Sequence, residues 1–156
     1  MTKPIGNETK FINELKRAIQ AHEKKHSSSN SVIWKIRGTA SSSGRPDLLV
    51  ITDSSYFIEA KVVPIKDIYK SKRDLFKLPT RQQLAHLVMI AQAGAEAYLA
   101  IKTSHDEGIL IDMRGVIDHH DDYFTKPYIF SEHCGGNDCG CCKSIKKEKG
   151  VWKLWE

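Results

Sequence analysis

The N-terminal part of the chain carries apolar residues at the spacing of an amphipathic helix. This stretch runs from residue 7 to residue 24, with Asn7 as the expected N-cap. Glu8 lies in line with the apolar stripe of this helix, whereas Glu14 is predicted to lie well off it. The stripe itself consists of Phe11, Ile12, Leu15 and Ile19.

The remainder of the pattern alternates between strands and one more helix. Apolar, β-prone runs predict a strand over 31–37 and a β-hairpin over 47–62, whose turn is the polar segment 53–55. A second helix is predicted from Thr80 to Ala93, followed by strands over 96–102 and 108–112. The order helix, three strands, helix, two strands predicts an α/β fold with a central mixed β-sheet flanked by helices.

Composition is that of one soluble globular domain. The chain has 156 residues, of which 40% are hydrophobic and 28% charged. We expect no membrane span, because no run of 18 apolar residues occurs, and a cytoplasmic location, because the N-terminus lacks a signal-peptide core. The formal net charge of +5 favours a polyanionic partner.

The predicted hairpin carries the candidate chemistry. Glu59 and Lys61 are two positions apart on one strand, so their side chains leave the same face of the sheet. Asp47 begins the neighbouring strand and can join them. Two carboxylates can bind a hard divalent cation through oxygen, and a lysine beside that cation can orient or deprotonate a water molecule. This combination is typical of metal-assisted phosphodiester hydrolysis.

The motif Pro46-Asp47…Glu59-Ala60-Lys61 resembles the PD-(D/E)xK nuclease superfamily. Three further features resemble its virus-type replication-repair (VRR-Nuc) branch, which is similar to Holliday junction resolvases. They are Gly44 ahead of the Pro-Asp pair, the helix entry 79–83 (Pro-Thr-Arg-Gln-Gln), and the helix end at 93–95 (Ala-Gly-Ala). The resemblance covers roughly residues 7–102. It implies a restriction-endonuclease-like core and a Mg²⁺- or Mn²⁺-dependent DNA endonuclease acting on branched DNA.

The resemblance also implies roles for individual residues. Asp47, Glu59 and the backbone carbonyl of Ala60 would bind the metal, and Glu8 would complete the shell directly or through water. Lys61 would position the attacking water. Gln83, with Gln82 as the weaker alternative, would orient water or a phosphate oxygen. Small relatives tend to form homodimers, and such a compact chain would suit a phage or mobile-element nuclease.

Basic residues cluster around the candidate centre. The segment between Lys61 and Arg81 is rich in lysine and arginine, with aromatic residues interleaved. A solvated loop is the simpler interpretation, and a flap that contacts phosphates is the functional one. The candidate nucleic-acid contacts are Lys35, Arg37, Arg45, Lys66, Lys70, Lys72, Arg73, Lys77 and Arg81.

The family resemblance ends near the C-terminal part. We therefore divide the chain into a nuclease core, residues 1–118, and a basic, Cys-rich C-terminal extension, residues 119–156, expected to pack on the core. This extension contains all four cysteines of the chain. A structural Zn²⁺ site and reduced thiols are both compatible with the spacing, and a disulfide is the lesser alternative. The candidate zinc ligands are His133, Cys134, Cys139, Cys141 and Cys142.

Two other functions remain compatible with the sequence. A restriction or defence nuclease would share the chemistry but not the branched substrate. A non-catalytic nucleic-acid-binding protein could keep the fold and use a zinc-binding tail for recognition. The presence of Asp47, Glu59 and Lys61 together favours an enzyme over the second alternative.

Overall fold

The computed structural model of the protein describes residues 5–26, 32–36, 45–52, 55–64, 78–115 and 142–155. Within these ranges, seven strands form a single sheet in chain order, β1 to β7. All neighbouring strands are antiparallel except β3 and β4, which are parallel. The elements are α1 (Glu8–His26), β1 (Val32–Lys35), β2 (Leu48–Ile51), β3 (Ser55–Val62), α2 (Arg81–Gln92), β4 (Glu96–Lys102), β5 (Glu107–Asp112), β6 (Cys142–Glu148) and β7 (Val151–Lys153).

Local side-chain chemistry sets where both helices begin. The carboxamide oxygen of Asn7 accepts a hydrogen bond from the Lys10 amide at 2.8 Å, which caps the first turn of α1. α2 starts with a capping box between Thr80 and Gln83. It ends at Ala93, after which Gly94 adopts a φ of 92°. A left-handed glycine is a common way to terminate a helix.

The two helices cover opposite faces of the sheet. Leu99 and Ile101 of β4 belong to the core packed under α2, whereas Ala100, between them, belongs to the core packed under α1. Alternate residues of a strand point to opposite faces, so the sheet lies between two hydrophobic layers. The predicted α/β fold, with a central mixed sheet flanked by helices, is confirmed. No helix in the described ranges has the length and apolarity to cross a bilayer.

Residues 142–155 extend the same sheet. β6 pairs with β5, and β7 folds back on β6. The side chains of Trp152 and Leu154 are buried in the core beneath α1. The sequence pattern had not indicated β6. The proposed division at residue 118 lies within residues 116–141, which the structure does not describe. That boundary therefore stays a prediction.

Candidate active site

The β2–β3 hairpin places two carboxylates opposite each other. Leu48 pairs with Ile58 in the antiparallel register, so the residue that precedes β2, Asp47, lies opposite Glu59. One oxygen of Asp47 accepts a hydrogen bond from the backbone amide of Ala60 at 2.8 Å. This bond fixes the Asp47 carboxylate against β3. Ile51 pairs with Ser55, so only a short connection joins the two strands and the register follows from residues close in sequence.

Glu59 is buried without a hydrogen bond. Its side chain is 1% exposed, and neither carboxylate oxygen has a hydrogen-bond partner among the described residues. The Lys61 ammonium lies 3.6 Å from Oε1, close enough for an ion pair but beyond hydrogen-bond reach. A buried carboxylate with unsatisfied oxygens is energetically costly unless another group compensates it. Glu59 is therefore a buried acidic group that a cation would stabilise.

The pKa values of the Asp47 and Glu59 carboxyl groups reflect this burial. Burial and the negative charge of Asp47 together raise the pKa of Glu59 to about 8, while Lys61 opposes the rise. Burial also raises the pKa of Asp47, against the opposing effects of the Ala60 amide, the Glu59 side chain and the Lys61 charge. Two neighbouring carboxylates cannot both ionise easily at a partly buried site, so Glu59, with a pKa of about 8, carries a proton near neutral pH. A divalent cation would replace that proton.

Lys61 is held between two acidic side chains from different elements. Its ammonium lies 3.8 Å from Oε1 of Glu8 as well as 3.6 Å from Glu59. The Glu8 side chain is 50% exposed, while that of Lys61 is 13% exposed. The N-terminus of α1 thus brings Glu8 to the hairpin, where the structure places it against Lys61. Its predicted role as a metal ligand stays a prediction.

The donor set fits a hard divalent cation that completes its shell with other oxygens. In the ranges that the structure describes, no three His, Cys, Asp or Glu side chains are grouped so as to hold a metal ion. Asp47 and Glu59 supply two carboxylates, and Mg²⁺ commonly binds through one or two carboxylates plus water and substrate phosphate. The two unpartnered oxygens of Glu59 are the observation that favours such an ion.

Gln83 has a structural task at the start of α2. Its side-chain oxygen accepts from the Thr80 amide at 2.9 Å, and its own backbone amide donates to the Thr80 hydroxyl at 3.1 Å. Gln83 is therefore the N3 residue of the α2 capping box. The predicted contact of Gln83 with water or phosphate stays a prediction, and the capping box accounts for the residue without it.

Three of the predicted nucleic-acid contacts lie in described parts of the chain. Lys35, Arg45 and Arg81 are all exposed. The Lys35 ammonium donates to the side-chain oxygen of Asn13 on α1. Arg45 lies two positions before Asp47, and Arg81 opens α2. The other candidates fall outside the described residues, namely Arg37, Lys66, Lys70, Lys72, Arg73 and Lys77.

The candidate zinc ligands are described only in part. Cys142 is the first residue of β6, is 8% exposed and packs in the core beneath α2. The other four, His133, Cys134, Cys139 and Cys141, lie outside the described residues. The zinc site therefore stays a prediction.

The expected position of Glu14 was wrong. Its side chain is 4% exposed and lies between α1 and the sheet. Oε2 accepts from the Trp152 indole at 2.7 Å and pairs with the Lys147 ammonium at 2.9 Å, while Oε1 accepts from Lys102 at 3.1 Å. Glu14 shares its face of α1 with Phe11 and Ala18, three positions before and four after it. Its partners are far away in sequence, so no local pattern could indicate this cluster.

No family model matches the sequence, and no curated protein matches it either. Among solved structures, the chain is similar to Hjc of Archaeoglobus fulgidus, a Holliday junction resolvase from an archaeal hyperthermophile. The identity is 17% and the TM-score 0.33, and the match covers 64% of this chain and 77% of the other. The VRR-Nuc branch suggested by the sequence motifs stays a prediction.

Proposed function

We propose that this chain is a metal-dependent endonuclease that hydrolyses DNA phosphodiester bonds. The observation that carries the proposal is the buried Glu59 carboxylate, with both oxygens unpartnered in the described part of the chain. Asp47 lies opposite it and Lys61 beside it. A buried acidic pair with raised pKa values, next to a lysine, is an arrangement more typical of a reactive centre than of a stabilising ion pair.

Asp47 and Glu59 would bind Mg²⁺ or Mn²⁺, with the Ala60 carbonyl as a further ligand and Glu8 completing the shell directly or through water. The bound cation would polarise a phosphoryl oxygen and lower the pKa of a coordinated water molecule. The Asp47 carboxylate is oriented for this role by its bond from the Ala60 amide. The low exposure of Glu59 limits competing water at the site.

Lys61 would act on the attacking water and on the phosphate. Its ammonium is confined by Glu59 and Glu8 on two sides, at 3.6 and 3.8 Å. A fixed ammonium can donate a hydrogen bond to the water and can stabilise negative charge that develops on the phosphoryl oxygens. Glu8 would then help to orient Lys61, whether or not it also contacts the metal.

The substrate would be DNA, and branched DNA in particular. The net charge of +5 supports a polyanionic partner, and exposed Arg45 and Arg81 flank the hairpin in sequence. The preference for a branch rests on the resemblance of the sequence motifs to junction-resolving nucleases. Paired cuts on a four-way junction would need a two-fold dimer, so we also propose a homodimer.

The proposal is tested by cleavage of three labelled substrates: a four-way junction, a matched linear duplex and a single strand. Each is incubated with Mg²⁺, Mn²⁺ or EDTA. We expect paired, metal-dependent nicks on the junction and a loss of at least about 100-fold in Asp47→Ala, because one of two metal-binding carboxylates is removed. Glu107→Ala, which removes an exposed carboxylate at the start of β5, serves as the control and should cut normally.

Three results would contradict this proposal or part of it. Equal cleavage by wild type and Asp47→Ala, independent of metal, would exclude the assigned centre. Equal cutting of all three substrates would exclude structure specificity and favour a general or defence nuclease. Tight binding without any cleavage would favour the non-catalytic recognition protein.

A further inference from the structure

A cleft unrelated to the acidic pair lies between the C-terminal half of α1 and the β6–β7 hairpin. Its volume is about 310 Å³, and its lining residues include Trp152, Leu154 and Trp155. His22, on the α1 side, lies 14 positions after Glu8 in the same helix. At 1.5 Å per residue the cleft is therefore about 20 Å from Glu8 along the helix axis. Glu8, the α1 residue of the candidate active site, and this cleft therefore lie far apart along one helix.

The charged side chains of the cleft are mostly basic. Lys25, Lys149 and Lys153 line it, against Glu148 as the acidic side chain among the described lining residues. Lys25 belongs to the last turn of α1, where a cation complements the helix dipole. In the described part of the chain, no ion pair or side-chain hydrogen bond engages the ammonium groups of Lys149 and Lys153. Among the described residues nothing neutralises these two ammonium groups, so their positive charge can attract an anion.

Two features of the hairpin are unfavourable for its own folding. Lys153 is paired directly opposite Lys146 across β6 and β7, and like charges in that position repel each other. Lys149 has a φ of 53° and is followed by Gly150 with a φ of 78°. Two successive positive φ values favour Asn-Gly in a tight hairpin turn, and lysine is poorly suited to the first position. Such local strain, at a residue that lines a cleft, points to a binding role.

The aromatic wall of the cleft is held rigidly. The Trp155 indole makes edge-on contacts with Tyr98 and Tyr56, with ring centroids 5.1 and 5.6 Å apart. It also lies 6.4 Å from the His22 imidazole. Trp155 is partly exposed and lines the cleft. An aromatic surface fixed in this way can stack on a nucleobase at little entropic cost.

We propose that this cleft is a second nucleic-acid site, which binds one unpaired nucleotide of a DNA strand. Lys149 and Lys153 would contact its phosphates, and Trp155 with His22 would contact its base. The cleft volume is at the lower end of those that enclose a small organic ligand, which suits a single nucleotide. This inference rests on the proposed nuclease function for its substrate. It deepens that function by assigning the enzyme a substrate with unpaired nucleotides outside the candidate active site.

The test measures binding and involves no cleavage. A labelled 12-nucleotide single strand is titrated with protein in EDTA, and its fluorescence anisotropy is recorded over a range of salt concentrations. The variant Lys149→Asn/Lys153→Gln is compared with Arg17→Gln/Lys24→Gln, which removes two charges from α1 outside the cleft. The single variant Lys149→Asn places a favourable residue in the turn, so it should unfold at the same or a higher temperature than wild type.

We expect the cleft variant to bind about 10-fold more weakly than wild type, while the control changes less than about twofold. The slope of log K against log salt concentration should decrease by about 1.4, because about 0.7 is lost per phosphate contact in a single strand. An abasic strand of the same length should bind wild type about 10-fold more weakly than the normal strand, since stacking is lost.

Equal weakening in the two double variants would mean diffuse attraction and would overturn the inference, as would unchanged binding by the cleft variant. Competition by deoxyadenosine monophosphate as strong as that by the oligonucleotide would assign the cleft to a free nucleotide and overturn the strand assignment. Because the strand is not cut in EDTA, failure here is distinct from failure of the nuclease proposal. If Asp47→Ala cleaves like wild type but the cleft variant binds weakly, only the nuclease proposal fails.

Discussion

Replacing Glu59 by glutamine is expected to abolish metal-dependent cleavage and to stabilise the metal-free protein. The rate should fall by about 1,000-fold or more, because a neutral amide is a poor ligand for Mg²⁺ and the cation is proposed to supply most of the catalysis. Glutamine has nearly the same shape as glutamate but needs no counter-charge in a buried site. The cost of burying an ionised Glu59 would therefore disappear.

The stability change depends on pH in a defined direction. The pKa of Glu59 is about 8 in the folded protein, whereas a glutamate in an unfolded chain titrates near 4.3. Between these values the folded state binds more protons, so the free energy of unfolding of wild type falls as pH rises from about 4.3 to about 8. Glu59→Gln lacks this decline. At pH 8 in EDTA we expect it to be more stable by roughly 4–5 kcal/mol, which is about 9–18 °C in melting temperature.

Thermal unfolding of wild type and Glu59→Gln at pH 5 and pH 8 in EDTA provides the measurement. The two proteins should differ little at pH 5 and most at pH 8. Glu148→Gln, an exposed glutamate of β6, is the control and should follow wild type at both values. A variant less stable than wild type at pH 8 would mean that Glu59 is an ordinary stabilising residue and would contradict the account.

Glu14→Ala is expected to lower the free energy of unfolding by about 3–5 kcal/mol. The substitution removes the common partner of Lys102, Lys147 and the Trp152 indole. The Lys102 side chain is 1% exposed, so its charge would be left buried and unpaired. Removing one partner of a buried ion pair typically costs about 3–5 kcal/mol, because the other charge stays buried without a partner. The cluster also joins α1 to β4, β6 and β7, so the loss spreads over the whole core beneath α1.

Lys102→Met is the informative partner of that variant. It removes a buried charge, replaces it with an apolar side chain of similar length, and leaves Glu14 with Lys147 and Trp152. The expected cost is about 1 kcal/mol or less. The free energy of unfolding of both variants is measured with urea. The slope of that free energy against urea concentration should stay the same as in wild type. An equal loss of unfolding free energy in Glu14→Ala and Lys102→Met would contradict the prediction that Glu14→Ala costs more.

Acid unfolding tests the cluster around Glu14 independently of these two variants. Burial raises the pKa of Glu14, but hydrogen bonds from Lys147, Trp152 and Lys102 outweigh burial and lower the pKa overall. A lowered folded-state pKa gives stability that is present above the unfolded value near 4.3 and is lost as pH falls through the folded value. Wild type should therefore lose stability below about pH 4, and Glu14→Gln should lose less over that range.

The sequence predicted the hairpin and its carboxylates because the arrangement is local. Asp47 and Glu59 lie opposite each other on adjacent strands that are close in sequence, and period-two alternation places Glu59 with Lys61 on one face. The helix starts at Asn7 and Thr80 follow from capping chemistry in the same way. The sequence did not indicate how deeply the Glu59 side chain is buried. Whether the face that carries Glu59 is dry depends on packing from elements far along the chain.

Long-range partners explain the errors as well. Two partners of the Glu14 carboxylate lie 88 and 138 positions away, at Lys102 and Trp152, so the helical pattern of α1 alone could not place Glu14 inside. Gln83 is the opposite case. Thr80 three positions before it forms the local capping box, and this contact explains the residue without reference to a reaction. The cleft beside Trp155 is formed partly by β6 and β7. The sequence pattern does not indicate β6, so it could not predict the cleft.

Asp47 and Glu59 are proposed to hold a divalent cation in place of a proton. Calorimetric titration of Mn²⁺ into the metal-free protein at pH 7, in two buffers with different ionisation enthalpies, tests this exchange most directly. With a Glu59 pKa of about 8, binding should release close to one proton at pH 7 and almost none above about pH 9. Glu59→Gln should bind far more weakly and release none. Mn²⁺ binding to wild type without proton release, unchanged in Glu59→Gln, or no binding at all, would contradict the account.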